Sequence, residues 1–197
     1  MTVNESEPAK PKRRWYQFSL RSLFVLTTLV AIACSWYIGW YAVERQKTAK
    51  IRAAVAEITE LGGEASYSHN RKDDVFHLIV QTTDAGLVHL KGLTKLNGLD
   101  LSHTQITDAG LVHLKGLTNL NKLYLHLTPI TDAGLVHLKG LTKLQSLDLS
   151  YTRITDAGLE HLKGLTNLGR LNLRDTQVTD EGVKKLQEAL PNCKIDR

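Results

Sequence analysis

A twelve-residue segment recurs almost unchanged along this chain and constrains its fold more than any other feature. It reads TDAGLVHLKGLT from Thr83, Thr107 and Thr131, and TDAGLEHLKGLT from Thr155. Successive copies begin 24 residues apart, and a fifth start at Thr179 keeps that interval before the pattern decays. A period of this length is typical of a solenoid, in which each unit buries its apolar face only by stacking on its neighbours. The sequence therefore favours a binding function over catalysis.

Each unit combines the residue spacing of a strand with that of a helix. In the first unit Leu99 and Leu101 alternate with a period of two, whereas Leu111 and Leu114 are three residues apart and share one face of a helix. One unit is thus predicted to be a short β-strand, a turn and a short helix. We expect four full units over about residues 84–180, within a repeat domain of residues 64–197 that has a cap at each end.

The strand before the first unit is expected to depart from the 24-residue register. The run VFHLIV, from Val75 onward, is rich in strand-forming residues. Counting back from later units places Val75 and His77 where leucines are expected, whereas Phe76 and Leu78 fit one residue later. We therefore predict a modified capping strand here.

The N-terminal part of the chain is apolar enough to suggest a membrane segment. No charged residue lies between Ser22 and Val43, and at about 1.5 Å per residue this run can cross a hydrocarbon core of ~30 Å as a helix. Aromatic residues stand at both ends, as at the two membrane interfaces. We predict a single-pass transmembrane helix over residues 18–43, preceded by a disordered cytoplasmic tail of residues 1–17 and followed by repeats outside the cytoplasm.

The distribution of charge supports that orientation and argues against nucleic-acid binding. The chain has a formal charge of +5, and its first 21 residues contain five basic and two acidic side chains. The remainder has 20 basic and 18 acidic residues, so it lacks the concentrated basic face that nucleic acids require. The basic tail better matches the cytoplasmic side of a membrane and anionic lipid headgroups.

The two cysteines leave one alternative open. Ala31, Ile32 and Ala33 precede Cys34 in a pattern similar to a signal-peptide or lipoprotein cleavage site, so a cleaved or lipidated exported form is a second interpretation. Cys193 is distant in sequence, and neither cysteine has metal-ligand spacing. The sequence therefore predicts no disulfide, no metal site and no cofactor.

Residues 44–63 are predicted to form a helix next to the membrane segment. Ile51, Val55, Ile58 and Leu61 fall on one helix face, and the pair of glycines that follows is a suitable C-terminal stop. We expect this helix to cap the exposed core of the first repeat. A short dimerising helix is the alternative.

The full unit, LxxLxLxxTxI followed by TDAGLxxLxxL, resembles a leucine-rich repeat over about residues 75–197. It is similar to the cysteine-containing subclass, with threonine in place of cysteine, and to the repeat arrays of planctomycete-type bacterial membrane proteins. The resemblance implies an α/β solenoid with parallel strands on the concave face and short helices on the convex face. It also implies buried side chains that bond the backbones of adjacent turns, at Thr104, Thr128, Thr152 and Thr176.

Other residues fixed in every unit are expected to be architectural. A threonine and an aspartate precede each helix, and one of them should cap its free amides; the aspartates include Asp108, Asp132 and Asp156. Which of the two residues is the cap stays open. One histidine per unit lies in the helical arc, where packed helices stand about 8–10 Å apart, too far for two rings to share a metal ion.

A ligand is expected on strand positions that vary between units. The candidate partner-binding residues are Asp100, Tyr124, His126, Leu127, Asp148, Tyr151, Arg170 and Arg174, because tyrosine and arginine are frequent interface anchors and repeat two departs most from its neighbours. We predict a membrane-anchored, non-enzymatic module that binds a protein or cell-envelope partner. A structural spacer that self-associates into weak homo-oligomers is the alternative. The best acid/base cluster, Asp100, His126 and Asp148, lacks a nucleophile and a phosphate-binding loop.

Overall fold

The computed structural model describes residues 20–70 and 75–197. Helix α1 is followed by a seven-stranded sheet whose strands lie in chain order, β1 to β7, with short helices between them. The predicted tail of residues 1–17 lies outside the described residues, as do the first two residues of the predicted membrane segment. The elements are α1 (Leu20–Glu60), β1 (Glu64–Asn70), β2 (Val75–Gln81), α2 (Asp84–Leu87), β3 (Leu96–Asp100), α3 (Asp108–Leu111), β4 (Lys122–Tyr124), α4 (Asp132–Leu135), β5 (Ser146–Asp148), α5 (Asp156–Leu159), β6 (Arg170–Asn172), α6 (Asp180–Ala189) and β7 (Lys194–Asp196).

Strands β3 to β7 are parallel and pair with an offset of 24 residues. Gly98 pairs with Lys122, Lys122 with Ser146, Ser146 with Arg170, and Arg170 with Lys194. The predicted alternation of strand, turn and helix is therefore observed in every unit. Helices α2, α3 and α4 each continue into one turn of 3-10 helix, as at Val112–Leu114.

One continuous apolar core runs through the repeats. The predicted strand residues Leu99 and Leu101 and the helix residues Leu111 and Leu114 are all fully buried in it. The side chains of one unit cannot close a core alone, so each unit stacks on the next, as expected for a solenoid. This arrangement confirms the predicted α/β class with parallel strands and short helices.

The N-terminal end of the sheet is a hairpin that the sequence did not reveal. Strand β1 pairs antiparallel with β2, which in turn pairs parallel with β3. Between Phe76 and His77 the register shifts, so that Leu78 pairs with Leu99 at an interval of 21 residues instead of 24. The predicted departure of this strand from register is thus observed, and a bulge in the pairing is its physical form.

The second half of α1 covers the core of the first repeat. Ile51, Ala54 and Ile58 are buried there, and the backbone turns away at Gly62, which has a φ of +79°. Leu61, predicted on the same face, lies beyond the helix and is 58% exposed, so that part of the prediction was wrong. The apolar face that a dimerising helix would need is therefore occupied by the core.

The chain divides into two compact units, Met1–Arg45 and Gln46–Arg197. In the N-terminal of these two compact units, α1 exposes large apolar side chains, including Trp36 and Ile38. Within the described residues, no helix combines the length and apolar content that a membrane crossing requires. The transmembrane helix predicted over residues 18–43 is therefore not confirmed, and no break separates it from the predicted capping helix, because α1 is continuous.

A longer helix and a last strand close the C-terminal end of the repeats. Helix α6 buries Leu186, and the following segment buries Leu190 and Cys193. Burial raises the pKa of the Cys193 thiol to about 11, which makes it a poor nucleophile. Strand β7 keeps the 24-residue interval, since Lys194 pairs with Arg170, although the repeated sequence itself decays after Thr179.

Candidate functional site

The aspartate that begins each helix from α2 to α5 connects its unit to the next one. The Asp108 carboxylate accepts hydrogen bonds from the Thr131 backbone N–H at 2.8 Å and from the Thr131 hydroxyl at 2.6 Å. The same two bonds join Asp84 to Thr107, Asp132 to Thr155 and Asp156 to Thr179. These aspartates therefore form a ladder between repeats.

The threonine is the helix cap at α3, α4, α5 and α6, whereas the Thr83 side chain makes no cap bond to α2. Thr107 Oγ1 accepts a hydrogen bond from Ala109 N at 3.3 Å, and Thr155 Oγ1 accepts one from Ala157 N at 3.2 Å. An N-cap hydroxyl satisfies an amide that has no partner inside the helix. The open question of which residue caps is thus settled for these units in favour of threonine.

The buried threonine column acts within its own unit. Thr104 Oγ1 donates to the Leu101 carbonyl at 2.7 Å, and Thr128, Thr152 and Thr176 make the equivalent bond three residues back. The expectation that these side chains bond adjacent turns was wrong. A short hydroxyl reaches the nearest carbonyl, in the turn that follows its own strand.

The outward strand residues form the concave columns, which are three rows of side chains across β2 to β7. The first row includes Lys122 and Arg170, and the second includes Asp100, Tyr124 and Asp148. The third row lies just beyond the strand ends, and its members Ser102 and Ser150 are each only 4% exposed. Arg174, at the equivalent position of the last unit, is exposed.

A depression of about 220 Å³ lies on these columns toward the C-terminal end, and we call it the concave depression. Asp148 is held in it by Ser150, whose N–H and hydroxyl donate at 2.9 and 2.6 Å, and by Asn172 Nδ2 at 3.1 Å. Asp196 lies 3.7 Å from the Arg170 guanidinium. The concave depression is lined by Tyr124, Ser146, Leu147, Asp148, Arg170, Asn172, Arg174 and Asp196.

The rim of the sheet carries a second, more open depression, which we call the rim depression. It includes Leu127, Pro129 and Tyr151, and both Leu127 and Tyr151 have exposed side chains. A hydrogen bond to Asp175 raises the pKa of the Tyr151 phenol. Three residues after each of the strands β3 to β6, the chain turns through a corner formed by one residue with a φ between 53° and 59°. These corner residues are His103, Leu127, Tyr151 and Asp175.

This left-handed backbone is part of the architecture. The N–H of Leu127 donates to the Ser150 carbonyl at 3.1 Å, and the N–H of Tyr151 donates to the Arg174 carbonyl at 2.9 Å. The same bond joins His103 N–H to the His126 carbonyl, so at three of the four positions the next unit holds the backbone in a conformation that is costly for any residue other than glycine. The strain therefore does not single out any one repeat as functional.

The proposed acid/base cluster does not assemble. Asp100 and Asp148 flank Tyr124 on either side in the strand order, and Asp100 accepts a hydrogen bond from the Ser102 N–H. His126 bonds instead to His103, with 3.1 Å between their Nε2 atoms. Among the described residues, no group of three or more His, Cys, Asp or Glu side chains is arranged to hold a metal ion.

Models of the leucine-rich repeat family match this chain in two segments, residues 92–114 and residues 118–178. Both segments lie in the stacked units described above. The chain is a leucine-rich repeat protein. The likeness to the cysteine-containing subclass and to bacterial membrane proteins stays a prediction.

Solved structures of other leucine-rich repeat proteins are similar to this one. An internalin (inlF) from Listeria monocytogenes is 25% identical, with a TM-score of 0.41 over 59% of this chain and 38% of its own. A leucine-rich repeat protein from Leptospira interrogans is 26% identical, with a TM-score of 0.45 over 56% of this chain and 27% of its own. The ectodomain of a receptor kinase from Arabidopsis thaliana is 18% identical, with a TM-score of 0.44 over 76% and 90%.

This leucine-rich repeat chain thus spans less than two fifths of the first two structures it resembles. A comparison with curated protein sequences found no match.

The predicted partner-binding residues fall into separate places on the leucine-rich repeat surface. Tyr124, Asp148, Arg170 and Arg174 line the concave depression, whereas Leu127 and Tyr151 line the rim depression. Asp100 and His126 belong to neither lining. Asn172 follows the same pattern of outward strand positions, whereas sequence reasoning missed Asp196, which stands 24 residues after Asn172 and could have been found by extending the count.

Proposed function

We propose that this leucine-rich repeat protein binds an acidic segment of a protein partner in the concave depression. Leucine-rich repeats generally mediate protein–protein interaction. The observation that carries the proposal is an imbalance of charge pairing: Asp148 is hydrogen-bonded within the sheet, whereas the exposed Arg174 guanidinium has no ion pair among the described residues. Binding, and not catalysis, is the role that this surface supports.

The chemistry of the lining favours a carboxylate-bearing ligand. Arginine can hold a carboxylate through two parallel N–H···O bonds, and Tyr124 contributes a half-buried aromatic side chain to the same depression. Strands about 4.8 Å apart make the whole face only about 15–20 Å wide across four units. We therefore propose a loop or extended peptide as the occupant.

The test is photocrosslinking in cells that express the full chain. A photoreactive residue at Ser146, inside the concave depression, should capture the partner. The double variant Tyr124→Ala/Arg174→Ala should lose capture, since both anchors are gone. The matched double variant Tyr151→Ala/Arg153→Ala removes the same residue types from the rim depression and should retain it.

Two outcomes would contradict this proposal. Capture that is unchanged in Tyr124→Ala/Arg174→Ala, with an unaltered circular dichroism spectrum, would show that the concave depression is not the contact surface. Capture lost only in the rim variant would move the site to the rim. Once the captured partner is purified, its affinity for the full chain should fall as the salt concentration rises. Salt screens the attraction between exposed charges, with a screening length of about 8–10 Å at physiological ionic strength.

A structural spacer is the second candidate function. The observation that favours it is the juxtaposition of a basic row, with Lys122, Arg170 and Lys194, and an acidic row, with Asp148 and Asp196, on one face. Two copies facing each other could pair opposite rows. Sedimentation of the detergent-solubilised full chain decides between the candidates: a concentration-dependent dimer supports self-association, and a strict monomer contradicts it.

We further propose that the apolar first half of α1 attaches the protein to a membrane, with the N-terminus in the cytoplasm and the repeats outside. The exposed apolar side chains in that half, including Trp36 and Trp40, support attachment, since such a surface is costly in water. Alkaline extraction of membranes should leave the chain in the pellet. Protease accessibility in intact cells, with the intact mass, would reveal the side of the repeats and any processing at Cys34.

A further inference from the structure

Two histidines from successive repeats approach each other at the rim of the sheet. The Nε2 atoms of His103 and His126 are 3.1 Å apart, and the ring centroids are 4.8 Å apart with the planes at 83°. We propose that this histidine pair binds one divalent first-row transition cation, such as Zn²⁺ or Cu²⁺. The proposal is independent of the partner-binding function.

The separation of the two nitrogens suits a shared metal ion. Imidazole nitrogen binds Zn²⁺ at about 2.0–2.1 Å, so two ligands at right angles or at the tetrahedral angle stand roughly 2.9–3.4 Å apart. The observed 3.1 Å lies in that interval. Imidazole is also a preferred ligand of Cu²⁺ and Ni²⁺. His103 is exposed, which gives a hydrated ion access to the pair.

Buried polar atoms near the pair support the assignment. His126 Nδ1 and Ser102 Oγ are both buried and have no hydrogen-bond partner in the described part of the chain. Ser102 occupies the same concave row as His126, one unit earlier. A ligating histidine almost always donates its second ring N–H to an acceptor that fixes its tautomer. Ser102 Oγ does not bond His126 in this structure, but it is unpartnered among the described residues and lies one unit earlier in the same row, which makes it the candidate acceptor when His126 binds through Nε2.

The repeat architecture does not require this pair. Between the next two pairs of repeats, the positions of His103 and His126 are occupied by Leu127 and Ser150, and then by Tyr151 and Arg174. By contrast, the histidine of the helical arc recurs in units one to four and is explained by the repeat itself. The His103–His126 pair occurs at one junction, as a specific site would. Two protein ligands leave the remaining coordination positions to water.

The experiment is titration of the purified, detergent-solubilised full chain with ZnCl₂ and, separately, CuCl₂, followed by calorimetry and by NMR of the histidine ring resonances. We expect one ion per chain, with the His103 and His126 ring resonances shifted by Zn²⁺ and selectively broadened by paramagnetic Cu²⁺. His126→Gln and His103→Asn should each weaken binding by about ten-fold or more, the scale on which even outer-shell losses act. Asparagine is chosen because it tolerates the positive φ at this position.

Controls separate this site from other histidines and cysteines. His161→Gln, in the helical arc, should leave affinity unchanged, and Ser102→Ala should weaken it without abolishing it. Acidification should release the ion, because a proton competes for the same nitrogen lone pair. Binding that persists in the double variant His103→Asn/His126→Gln, or no binding at millimolar metal, would overturn the proposal. Circular dichroism of each variant confirms that the fold is retained.

Discussion

At the scale of single residues, the repeated TDAG segment is explained by contacts between units. The aspartate binds the next unit's threonine, the threonine caps its own helix, and the glycine leaves space for the previous unit's aspartate. A Cβ built on Gly134 would overlap Asp108 Oδ1, and the same overlap recurs at Gly110, Gly158 and Gly182 with the preceding aspartate. The glycine is therefore required by close approach and not by its backbone angles.

Substitution of that glycine should destabilise the protein. Gly134→Ala places a methyl group against the Asp108 carboxylate, and overpacking of this kind costs about 1–3 kcal/mol in the free energy of unfolding. Gly140→Ala is the matched control, since a Cβ there meets no atom within 4 Å, and it should stabilise by about 0.4–1 kcal/mol. Thermal denaturation of both variants tests the difference, and equal midpoints would contradict the steric explanation.

The aspartate ladder should also be visible in pH dependence. Hydrogen bonds from the Thr179 hydroxyl and N–H lower the pKa of Asp156 below its ordinary value of 3.8. Because the folded-state pKa is depressed, the stability this group contributes is present above the unfolded pKa and is lost as pH falls through the folded pKa. The Asp156 contribution therefore disappears in acid, below about pH 4.

Carboxyl NMR titration gives the measurement. Asp156 should titrate below 3.8, and Thr179→Val should raise its pKa toward that value by removing the hydroxyl donor. Thr166→Val, at an exposed threonine in the preceding segment, should leave the Asp156 pKa where it is. An unchanged titration in Thr179→Val would show that the hydroxyl bond does not carry the shift.

At the scale of elements, the two ends of the repeat stack are closed by different means. The N-terminal end is covered by the second half of α1 and by the β1–β2 hairpin, whereas the C-terminal end is covered by α6 and β7. Helix α1 also contacts the first repeat at its surface, where the Glu57 carboxylate pairs with His89 Nδ1. An open solenoid end exposes a slice of apolar core, so both caps are needed for a folded, soluble stack.

The capping role of α1 predicts that alanine substitutions at Ile58 and Leu61 differ strongly in their effect on the free energy of unfolding. Ile58 is fully buried, so Ile58→Ala should lower the free energy of unfolding by about 2–5 kcal/mol. Leu61 is mostly exposed, so Leu61→Ala should change it by less than about 0.5 kcal/mol. Chemical denaturation measures both values, and a small effect at Ile58 would mean that α1 does not seal the stack.

At the scale of the whole repeat domain, the 24-residue interval sets the register of every contact between neighbours. Strand pairs, the aspartate ladder and the buried leucines all repeat at 23 or 24 residues. Because each unit contacts mainly the units beside it, stability is close to a sum over units and their interfaces. Deletion of one whole unit should therefore preserve the contacts between the units that remain.

Deletion of residues 131–154 should leave a folded protein. The deletion joins Ile130 to Thr155, so Asp108 faces Thr155 in place of Thr131 and the ladder remains intact. We expect a cooperative thermal transition at a lower midpoint, since one interface is lost. Deletion of residues 131–153 shifts the register by one residue and should abolish cooperative unfolding. Similar melting curves for the two deletions would contradict the register argument.

Much of the fold followed from local patterns in the sequence. The spacing of Leu99 and Leu101, and of Leu111 and Leu114, was sufficient to predict a strand and a helix in each unit, because a buried face has the period of its element. The irregular strand at Phe76 was also evident from the count. The hairpin partner β1 was missed, since its polar residues gave no strand signal, and the predicted membrane helix is not confirmed.

The sequence by itself determined the repeat, its period and the buried leucine core, because these depend on a pattern that each unit carries within itself, and the resemblance to leucine-rich repeats implied the parallel strands. Only the tertiary structure decided which of Thr107 and Asp108 caps and which connects, why Gly134 is glycine, that Asp196 lines the concave depression, and that His103 meets His126. These contacts join residues about one unit apart, where several pairings satisfy the same local rules. Their choice is made by the geometry of stacking, which a single unit does not contain.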